Sequence, residues 1–209
     1  MSSANASPDS RTRSRLSMAL LFLLFAAPVV LAWLLFYAFP EWQPSGTTNH
    51  GRLIEPIRQV PAFELSAVDG SRIDETFFRG KWTLLYVTQG ACDEFCVEQL
   101  YKIRQVRLAQ GKNIDRLRRL LLWDDRAVSD ERRLALQKNF PGQVIASVAA
   151  GEPAALVDVF ALDGTDPFGT ARIYLIDPLG NLMMTYEADD EPRGIIKDLE
   201  KLLKWSGLG

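Results

Sequence analysis

The sequence contains few of the sulfur and imidazole side chains that bind soft metal ions or carry out redox chemistry. Its 209 residues include two cysteines, Cys92 and Cys96, and a single histidine, His50. A lone cysteine pair is a structural bridge, a redox dithiol or part of a metal site. The formal net charge is −2, so the overall charge gives no indication of a nucleic-acid partner. No internal repeat is visible.

Positive charge is concentrated in one short region of the chain. Its basic residues are Arg104, Arg107, Lys112, Arg116, Arg118 and Arg119. We expect them at solvated positions around the end of a helix, with at most a minor role against lipid or a partner.

One segment is far more apolar than the rest of the chain. Leu16 to Phe39 contains no charged residue, and at about 1.5 Å per residue a helix of this length crosses a hydrocarbon core of about 30 Å. Arg11, Arg13 and Arg15 precede the segment, and aromatic residues lie toward its far end. Because basic residues stay on the cytoplasmic side and aromatic residues favour the interface, we predict a cytoplasmic N-terminus.

A signal peptide that is later removed is the alternative to a membrane anchor. Its apolar region would be only about 7–15 residues long and would end at a small-x-small cleavage site. The run in this chain is longer, and Ala38-Phe39-Pro40 is a poor cleavage site. We therefore predict a single-pass anchor in a bacterial-type inner membrane, with the folded domain in the periplasm.

The two cysteines follow an apolar run. Leu84 to Val87 leads into Gly90 and the cysteines, and apolar residues then recur at helical spacing from Val97 onward. This pattern predicts a buried strand, a tight turn and the start of a helix. The partial positive charge at a helix N-terminus favours a thiolate, so we predict a reactive pair in which Cys92, nearer the turn, is the attacking thiol.

The spacing of the cysteines leaves several roles open. Residues four apart on a helix lie on one face with Cβ atoms about 5–6 Å apart, which allows a disulfide or one soft metal ion held by both sulfurs. Disulfides form outside the inner membrane, but a bridge that closes so short a loop adds little stability, which favours a functional pair. The alternative is that both cysteines simply fill the core.

Strands and helices alternate through the rest of the chain. Predicted strands are Val60–Leu65, Arg72–Ile73, Trp82–Thr88, Arg118–Trp123, Gln143–Val148, Arg172–Asp177 and Asn181–Tyr186. Predicted helices run from the cysteines to Ala109 and over Ser129–Lys138, Pro153–Phe160 and Pro192–Trp205. The order predicts an α/β domain with a mixed central sheet, and a dithiol at the first strand-to-helix turn is typical of a thioredoxin-like fold.

These predictions divide the chain into four parts. They are a cytoplasmic tail over residues 1–15, the membrane anchor over 16–39, a juxtamembrane link over 40–59 and the thioredoxin-like domain over 60–209.

Several short motifs resemble the Sco/SenC family. They are Pro61-Ala-Phe-Glu-Leu, Asp69-Gly70, Gly80-Lys-Trp-Thr-Leu-Leu-Tyr-Val-Thr, Cys92-Asp-Glu-Phe-Cys96 and Ile173-Tyr-Leu-Ile-Asp-Pro-Leu-Gly180. The family consists of membrane-anchored thioredoxin-fold proteins that help to assemble the copper centre of cytochrome c oxidase. The resemblance implies a respiratory oxidase subunit or another assembly factor as the partner. It also implies copper(I) bound by Cys92, Cys96 and a histidine shortly before the last motif.

The chain departs from the family at the third copper ligand. Gly169 stands where the family pattern has its histidine, and no histidine follows His50. Only Cys92 and Cys96 therefore carry over as copper ligands. The prolines that often flank the cysteines are absent, and Ala171 stands where the thioredoxin fold has a proline that faces the dithiol.

A few other side chains could act as metal ligands or in proton transfer, but we favour structural roles for them. His50 could fold back from the link, although we favour a solvated position for it. Met183 and Met184 are soft ligands but are expected to pack in the core. Asp124 and Asp125 follow a strand end near the site, where they cap a loop or assist proton transfer.

We favour a Sco-like factor in oxidase assembly that uses the dithiol for thiol exchange, for transient handling of copper(I), or for both. The link to the oxidase rests on resemblance alone. Two alternatives remain: a general periplasmic thiol–disulfide oxidoreductase, and a non-catalytic companion of a membrane complex with a fixed disulfide. The absence of proline at Ala171 counts against the general oxidoreductase.

Overall fold

The computed structural model describes residues 8–39, 48–124, 129–148 and 153–207. The chain divides into two compact units, Met1–Thr48 and Asn49–Gly209. The first unit contains helix α1, Pro8–Ala38, which passes through Pro28 without ending. Within this helix, Arg13–Ala38 is long and apolar enough to cross a membrane. The predicted helix of membrane-spanning length is therefore confirmed.

The second unit contains the alternating strands and helices. Its strands are β1 Arg52–Gln59, β2 Glu64–Ser66, β3 Arg72–Asp74, β4 Trp82–Gln89, β5 Leu117–Asp124, β6 Gln143–Ser147, β7 Ile173–Ile176 and β8 Asn181–Tyr186. Its helices are α2 Glu94–Ala109, α3 Asp130–Asn139, α4 Ala154–Phe160 and α5 Pro192–Trp205. From β3 onward the elements agree with the predicted ones to within one or two residues.

Six of the strands form one mixed sheet, in the order β1-β8-β7-β4-β5-β6. β4, β5 and β6 run parallel, whereas β7 is antiparallel to β4 and β8 is antiparallel to both β7 and β1. β2 and β3 form a separate two-stranded sheet. This arrangement confirms the predicted α/β class with a mixed sheet. It also places the end of β4, where the cysteines follow, in the middle of the sheet.

Strand β1 lies in a segment predicted to be a link. Residues 40–59 are assigned to that link from the sequence, but Arg52–Gln59 pairs with β8 as the outer strand of the sheet. The register shifts inside β1, where Pro56 has no N–H to donate and is tolerated because the strand is at an edge. The proline and the many polar residues hide the strand from a pattern search. The folded unit therefore begins at Asn49.

The sheet separates two hydrophobic cores. Side chains of β4 alternate between them, with Leu84 and Tyr86 on one face and Leu85 and Val87 on the other. The first core lies under α2 and α5 and includes both cysteines. The second lies under α4 and the β2–β3 hairpin. Because both faces of β4 are covered, the strand is a continuous apolar run rather than an alternating one.

Candidate functional site

The cysteines lie in the turn that connects β4 to α2. Asp93 is the N-cap of α2, and its Oδ1 atom accepts a hydrogen bond of 3.0 Å from the backbone N–H of Cys96. This bond satisfies one of the N–H groups that a helix start leaves unpaired. Cys92 therefore comes just before the cap, and Cys96 lies in the first turn of the helix. The predicted order of strand, turn and helix start is confirmed.

The two sulfur atoms form a disulfide that is closed off from solvent. The Cα atoms of Cys92 and Cys96 are 5.0 Å apart, within the usual range for a bridge. Only 1% of Cys92 and 2% of Cys96 is exposed. The residues around the bridge are much more open, and Phe95 in the same helical turn leaves 46% of its surface exposed. A partner that exchanges with this bridge must first uncover a sulfur atom.

The turn before the cysteines is anchored to the neighbouring strand β5. Trp123 donates its indole N–H to the carbonyl oxygen of Gly90 at 2.6 Å. The N–H of Gly90 in turn donates to the carbonyl oxygen of Asp124 at 3.1 Å. Gly90 has a φ of 76°, a conformation that favours glycine. The backbone of Asp124 thus stabilises the turn, whereas Asp125, the other predicted helper, lies outside the described residues.

Helix α3 holds the next part of the turn. Arg132 donates from Nη2 to the carbonyl oxygen of Cys92 at 2.6 Å and from Nε to that of Ala91 at 3.4 Å. Cys92 has a φ of 48°, in the left-handed region that residues with a Cβ seldom adopt. The arginine therefore fixes a backbone conformation that the local sequence does not favour. No local pattern indicates this contact, because 40 residues separate the partners.

Besides Arg132, the titratable groups near the turn include a buried phenol and exposed carboxylates. Burial raises the pKa of Tyr86, a hydrogen bond with Thr88 lowers it, and the charge of Asp93 raises it. The phenol therefore remains protonated at neutral pH. Asp93 and Glu94, which lie between the two cysteines in the chain, are exposed to water.

The structure brings the sulfur atoms of Cys92 and Cys96 together. In the part of the chain that is described, no group of three or more His, Cys, Asp or Glu side chains could hold a metal ion. At Gly169 an added Cβ would lie 3.8 Å from the carbonyl oxygen of Asp166, so the position has room for a side chain but carries none. Ala171 follows with a φ of 51°. After reduction, Cys92 and Cys96 would offer two thiolates, which suit a soft ion of low coordination number.

His50 is bound to α5 and is not a free residue of a link. Its Nδ1 atom lies 3.1 Å from Oδ1 of Asp198, and its backbone N–H donates to Oδ2 of the same carboxylate at 2.8 Å. The side chain of His50 is 46% exposed and that of Asp198 only 1%. His50 precedes β1, which is separated from β4 by two strands. The ring of His50 is therefore half solvated, but the residue is tied to α5 and does not lie in a free link.

Asp198 accepts hydrogen bonds from two further residues besides His50. Its Oδ2 atom also accepts the N–H of Gly51 at 2.9 Å and the hydroxyl of Tyr186 at 3.3 Å. Sequence reasoning missed this cluster, because its partners are up to 148 residues apart. A signal was present, since Asp198 occupies a core position of α5 beside the buried Ile195 and Leu199.

The methionines pack in the core, as expected. Met184 is buried and pairs with Leu53 of β1 and Leu175 of β7. Met183 is partly buried against the same core. Neither residue lies in the turn that carries the cysteines.

The basic region is largely structural. Arg107, Arg116 and Arg118 donate hydrogen bonds to backbone carbonyl oxygens. Arg119 is only 2% exposed and donates from Nη2 to the carbonyl oxygen of Pro141 at 2.6 Å. Its Nε and Nη1 atoms have no partner among the described residues. The expectation of a solvated position is therefore wrong for Arg119, because the side chain points into the sheet face beneath α2.

Solved structures that are similar to this chain include Sco proteins. Yeast Sco1 matches with a TM-score of 0.62 at 17% identity, over 73% of this chain and 98% of that one. Bradyrhizobium japonicum ScoI with copper bound matches with a TM-score of 0.53 at 23% identity, over 69% of this chain and 99% of that one. A putative protein disulfide isomerase from Bacteroides thetaiotaomicron matches with a TM-score of 0.54 at 19% identity, over 70% and 89%. At these identities the likeness confirms the thioredoxin-like fold.

The comparison with curated proteins finds no match. A family model described as a transmembrane-like, thioredoxin-like, C-terminal domain matches residues 82–206. This range runs from the start of β4 to just beyond α5 and includes the turn with both cysteines. It covers more than half of the chain. The chain therefore belongs to the family of transmembrane-like, thioredoxin-like C-terminal domains.

Proposed function

We propose that the chain is a membrane-anchored, Sco-like assembly factor for a respiratory oxidase, and that it works through the Cys92–Cys96 dithiol. The observation that carries this proposal is the bridge itself, at the junction of the central strand and α2. The oxidase partner, a subunit or another assembly factor, is taken from the Sco/SenC resemblance. The similarity to a ScoI with copper bound also supports a Sco-like role for this chain.

In this proposal α1 stays in the mature protein as the anchor. Residues 1–15 lie in the cytoplasm and the unit that begins at Asn49 lies in the periplasm of a bacterial-type inner membrane. Arg13 and Arg15 at the start of the apolar segment support this orientation. A disulfide between the two cysteines fits an oxidising compartment.

Thiol exchange begins from the reduced pair. The Cys92 thiolate attacks a disulfide of the target protein and forms a mixed disulfide, while the displaced target sulfur leaves as a thiolate. The Cys96 thiolate then attacks the Cys92 sulfur, which releases the target as a dithiol and restores the bridge. Two electrons pass to the target, so a thiol donor must return two electrons to the pair. Cys92 is assigned the attack because it precedes the helix cap, whereas Cys96 lies inside the first turn.

Copper(I) is the proposed cargo of the reduced pair. Two thiolates hold a soft ion but leave its coordination open. An acceptor protein could therefore add its own ligand before the two cysteines let go. The absence of a donor side chain at Gly169 favours such transient handling over storage.

Copper(I) titration of the full chain in detergent micelles tests this function. We expect the reduced protein to take up one ion against a competing chelator, and Cys92→Ser and Cys96→Ser to abolish the uptake. Gly169→His should raise the affinity about tenfold, which corresponds to about 1.4 kcal/mol, and His50→Ala should leave it unchanged because its ring is bound to α5. Failure of the reduced wild type to bind copper(I) would remove the copper part of the proposal.

A general thiol–disulfide oxidoreductase is the second candidate, favoured by the similarity to a putative protein disulfide isomerase. Such an enzyme should reduce generic disulfides such as those of insulin. We expect no turnover of insulin, because Ala171 replaces the proline that helps thioredoxin-like enzymes to dock extended substrates. Rapid insulin reduction together with no copper uptake would favour the second candidate. A bridge that resists reductants in the native protein would instead indicate a fixed structural disulfide.

A further inference from the structure

We propose that Arg132 is a positioning residue that controls how readily the Cys92–Cys96 bridge opens. This inference rests on the proposed use of the dithiol in exchange. It assigns to α3, a helix without a cysteine, the role of keeping the bridge closed until a partner or reductant acts on it.

The contact geometry is that of a clamp on two consecutive peptide units. Nη2 of Arg132 lies 2.6 Å from the carbonyl oxygen of Cys92, and Nε lies 3.4 Å from that of Ala91. The fork of a guanidinium has N–H groups on adjacent atoms, so one side chain can reach both oxygens. The hydrogen bond to Cys92 is short and charge-assisted, which makes it stronger than a neutral one.

The bridge cannot react in its present position. Exchange requires a thiolate to approach one sulfur, yet 1% of Cys92 and 2% of Cys96 is exposed. Cys96 is fixed by the N-cap bond to Asp93 within α2. Ala91, by contrast, is exposed and lies in a turn. The least costly route to a sulfur is therefore a movement of residues 91–92 away from α3.

Arg132 opposes this particular movement. The bonds from β5 hold Gly90 and leave the next two residues to other partners. Among the described residues, Arg132 is the side chain that bonds the backbone oxygens of Ala91 and Cys92. It also secures the left-handed conformation of Cys92, which has a φ of 48° and would otherwise relax. Loss of the clamp should therefore favour an open turn in which the sulfur of Cys92 is accessible.

The base of the clamp is itself well fixed. Arg132 lies in the first turn of α3, where its backbone N–H is bonded to the hydroxyl of the N-cap Ser129 at 3.3 Å. The backbone of Arg132 is thus held by the start of the helix, and its side chain extends from a defined point. A residue on a mobile loop could not hold the cysteine turn in this way.

The rate of disulfide reduction tests the proposal. The full chain, oxidised and in detergent micelles, is treated with dithiothreitol at pH 7, and the freed thiols are trapped with a maleimide that shifts the protein on a gel. We expect Arg132→Leu to be reduced about tenfold faster than the wild type. Arg132→Lys, which keeps the charge but can reach only one carbonyl oxygen at a time, should fall between the two. Lys138→Leu, which removes a charge from the exposed end of the same helix, should match the wild type.

A second measurement separates clamping from general stability. The same reductions are repeated at low urea concentrations, where opening of a turn exposes little surface and its rate changes little, whereas global unfolding accelerates steeply. Faster reduction of Arg132→Leu with the shallow urea dependence of the wild type supports the clamp. Equal rates for Arg132→Leu and wild type, or acceleration that appears only with a steep urea dependence, would overturn it.

The reduction experiment tests the role of Arg132 separately from the proposed function in oxidase assembly. If Arg132→Leu opens faster but the reduced chain neither binds copper(I) nor exchanges with a target disulfide, the clamp stands and the proposed function fails. If exchange and copper uptake occur while Arg132→Leu behaves like the wild type, the function stands and the clamp fails.

Discussion

Replacement of Asp198 by alanine should cost the folded unit about 3 kcal/mol of its free energy of unfolding. The carboxylate accepts the N–H groups of His50 and Gly51 and the hydroxyl of Tyr186. Gly51 and Tyr186 are buried, so alanine would leave two donors without an acceptor and without water. A buried donor that loses its partner costs about 1–3 kcal/mol, whereas His50 is half exposed and regains water.

Asp198→Asn should cost much less, about 1 kcal/mol. Its amide oxygen can replace Oδ2 as the acceptor for the same three donors, so that only the charge of the acceptor is lost. The comparison of the two variants separates the missing acceptor from the missing charge. Glu200→Ala, an exposed acid on the same helix, should change the free energy of unfolding by no more than about 0.5 kcal/mol.

Urea denaturation of the full chain in detergent micelles measures these differences. Tryptophan fluorescence follows the unfolding, since Trp82 and Trp123 are buried in the folded unit. A loss of less than about 1 kcal/mol for Asp198→Ala would show that water reaches the donors. The interpretation of Asp198 as the buried acceptor that fixes the start of β1 against α5 would then be wrong.

Two further substitutions test the packing of buried positions in the folded unit, one beside His50 and one on β5. Gly194→Ala should lower the free energy of unfolding by about 1–3 kcal/mol, because an added Cβ would lie 2.8 Å from Cβ and 3.0 Å from Cγ of His50; an unchanged urea midpoint would contradict this contact. Arg119→Met should stabilise the protein at pH 7, since burial, with the charges of Arg107 and Arg104, lowers the pKa of Arg119 to about 10. Above about pH 10 and up to the ordinary pKa of an arginine, the unfolded state binds more protons than the folded state. The wild type therefore gains stability as pH rises through this window, and the advantage of the variant shrinks there. Urea titrations at pH 7 and pH 11 measure the stability difference between Arg119→Met and the wild type, which should be smaller at pH 11. A variant less stable than the wild type at pH 7 would show that the hydrogen bond from Nη2 to Pro141 outweighs the cost of the buried charge.

The fold was predictable wherever the local pattern is strong. β4 is a continuous apolar run, and α2 and α5 carry apolar residues at helical spacing, so their positions follow from the sequence alone. β1 was missed because Pro56 and several charged residues break the alternation that marks a strand. Its place in the sheet depends on β8, more than a hundred residues later, and no local pattern contains that pairing.

In the candidate site, too, local features could be predicted from the sequence and long-range contacts could not. The two cysteines and their place at a helix start follow from residue type and spacing. The contacts that hold the site do not, because Arg132 reaches Cys92 across 40 residues and Asp198 reaches His50 across 148. Arg119 illustrates the opposite error, since a charged residue is normally placed in solvent, yet β5 turns this one toward the core.

Strand β1 also determines at which residue a shortened fragment of the protein can begin. It covers the outer side of β8, whose residues Leu182, Met184 and Tyr186 are buried. A fragment that starts at Val60 would uncover a row of backbone N–H and C=O groups on an apolar strand, which is a template for pairing between chains and for aggregation. A fragment that starts at Asn49 keeps β1 as the edge strand. Pro56 and the charged residues Arg52, Glu55 and Arg58 make this edge unsuitable for pairing with another chain. The first strand of the folded unit is thus also what keeps separate copies of the unit from joining through their sheet edges.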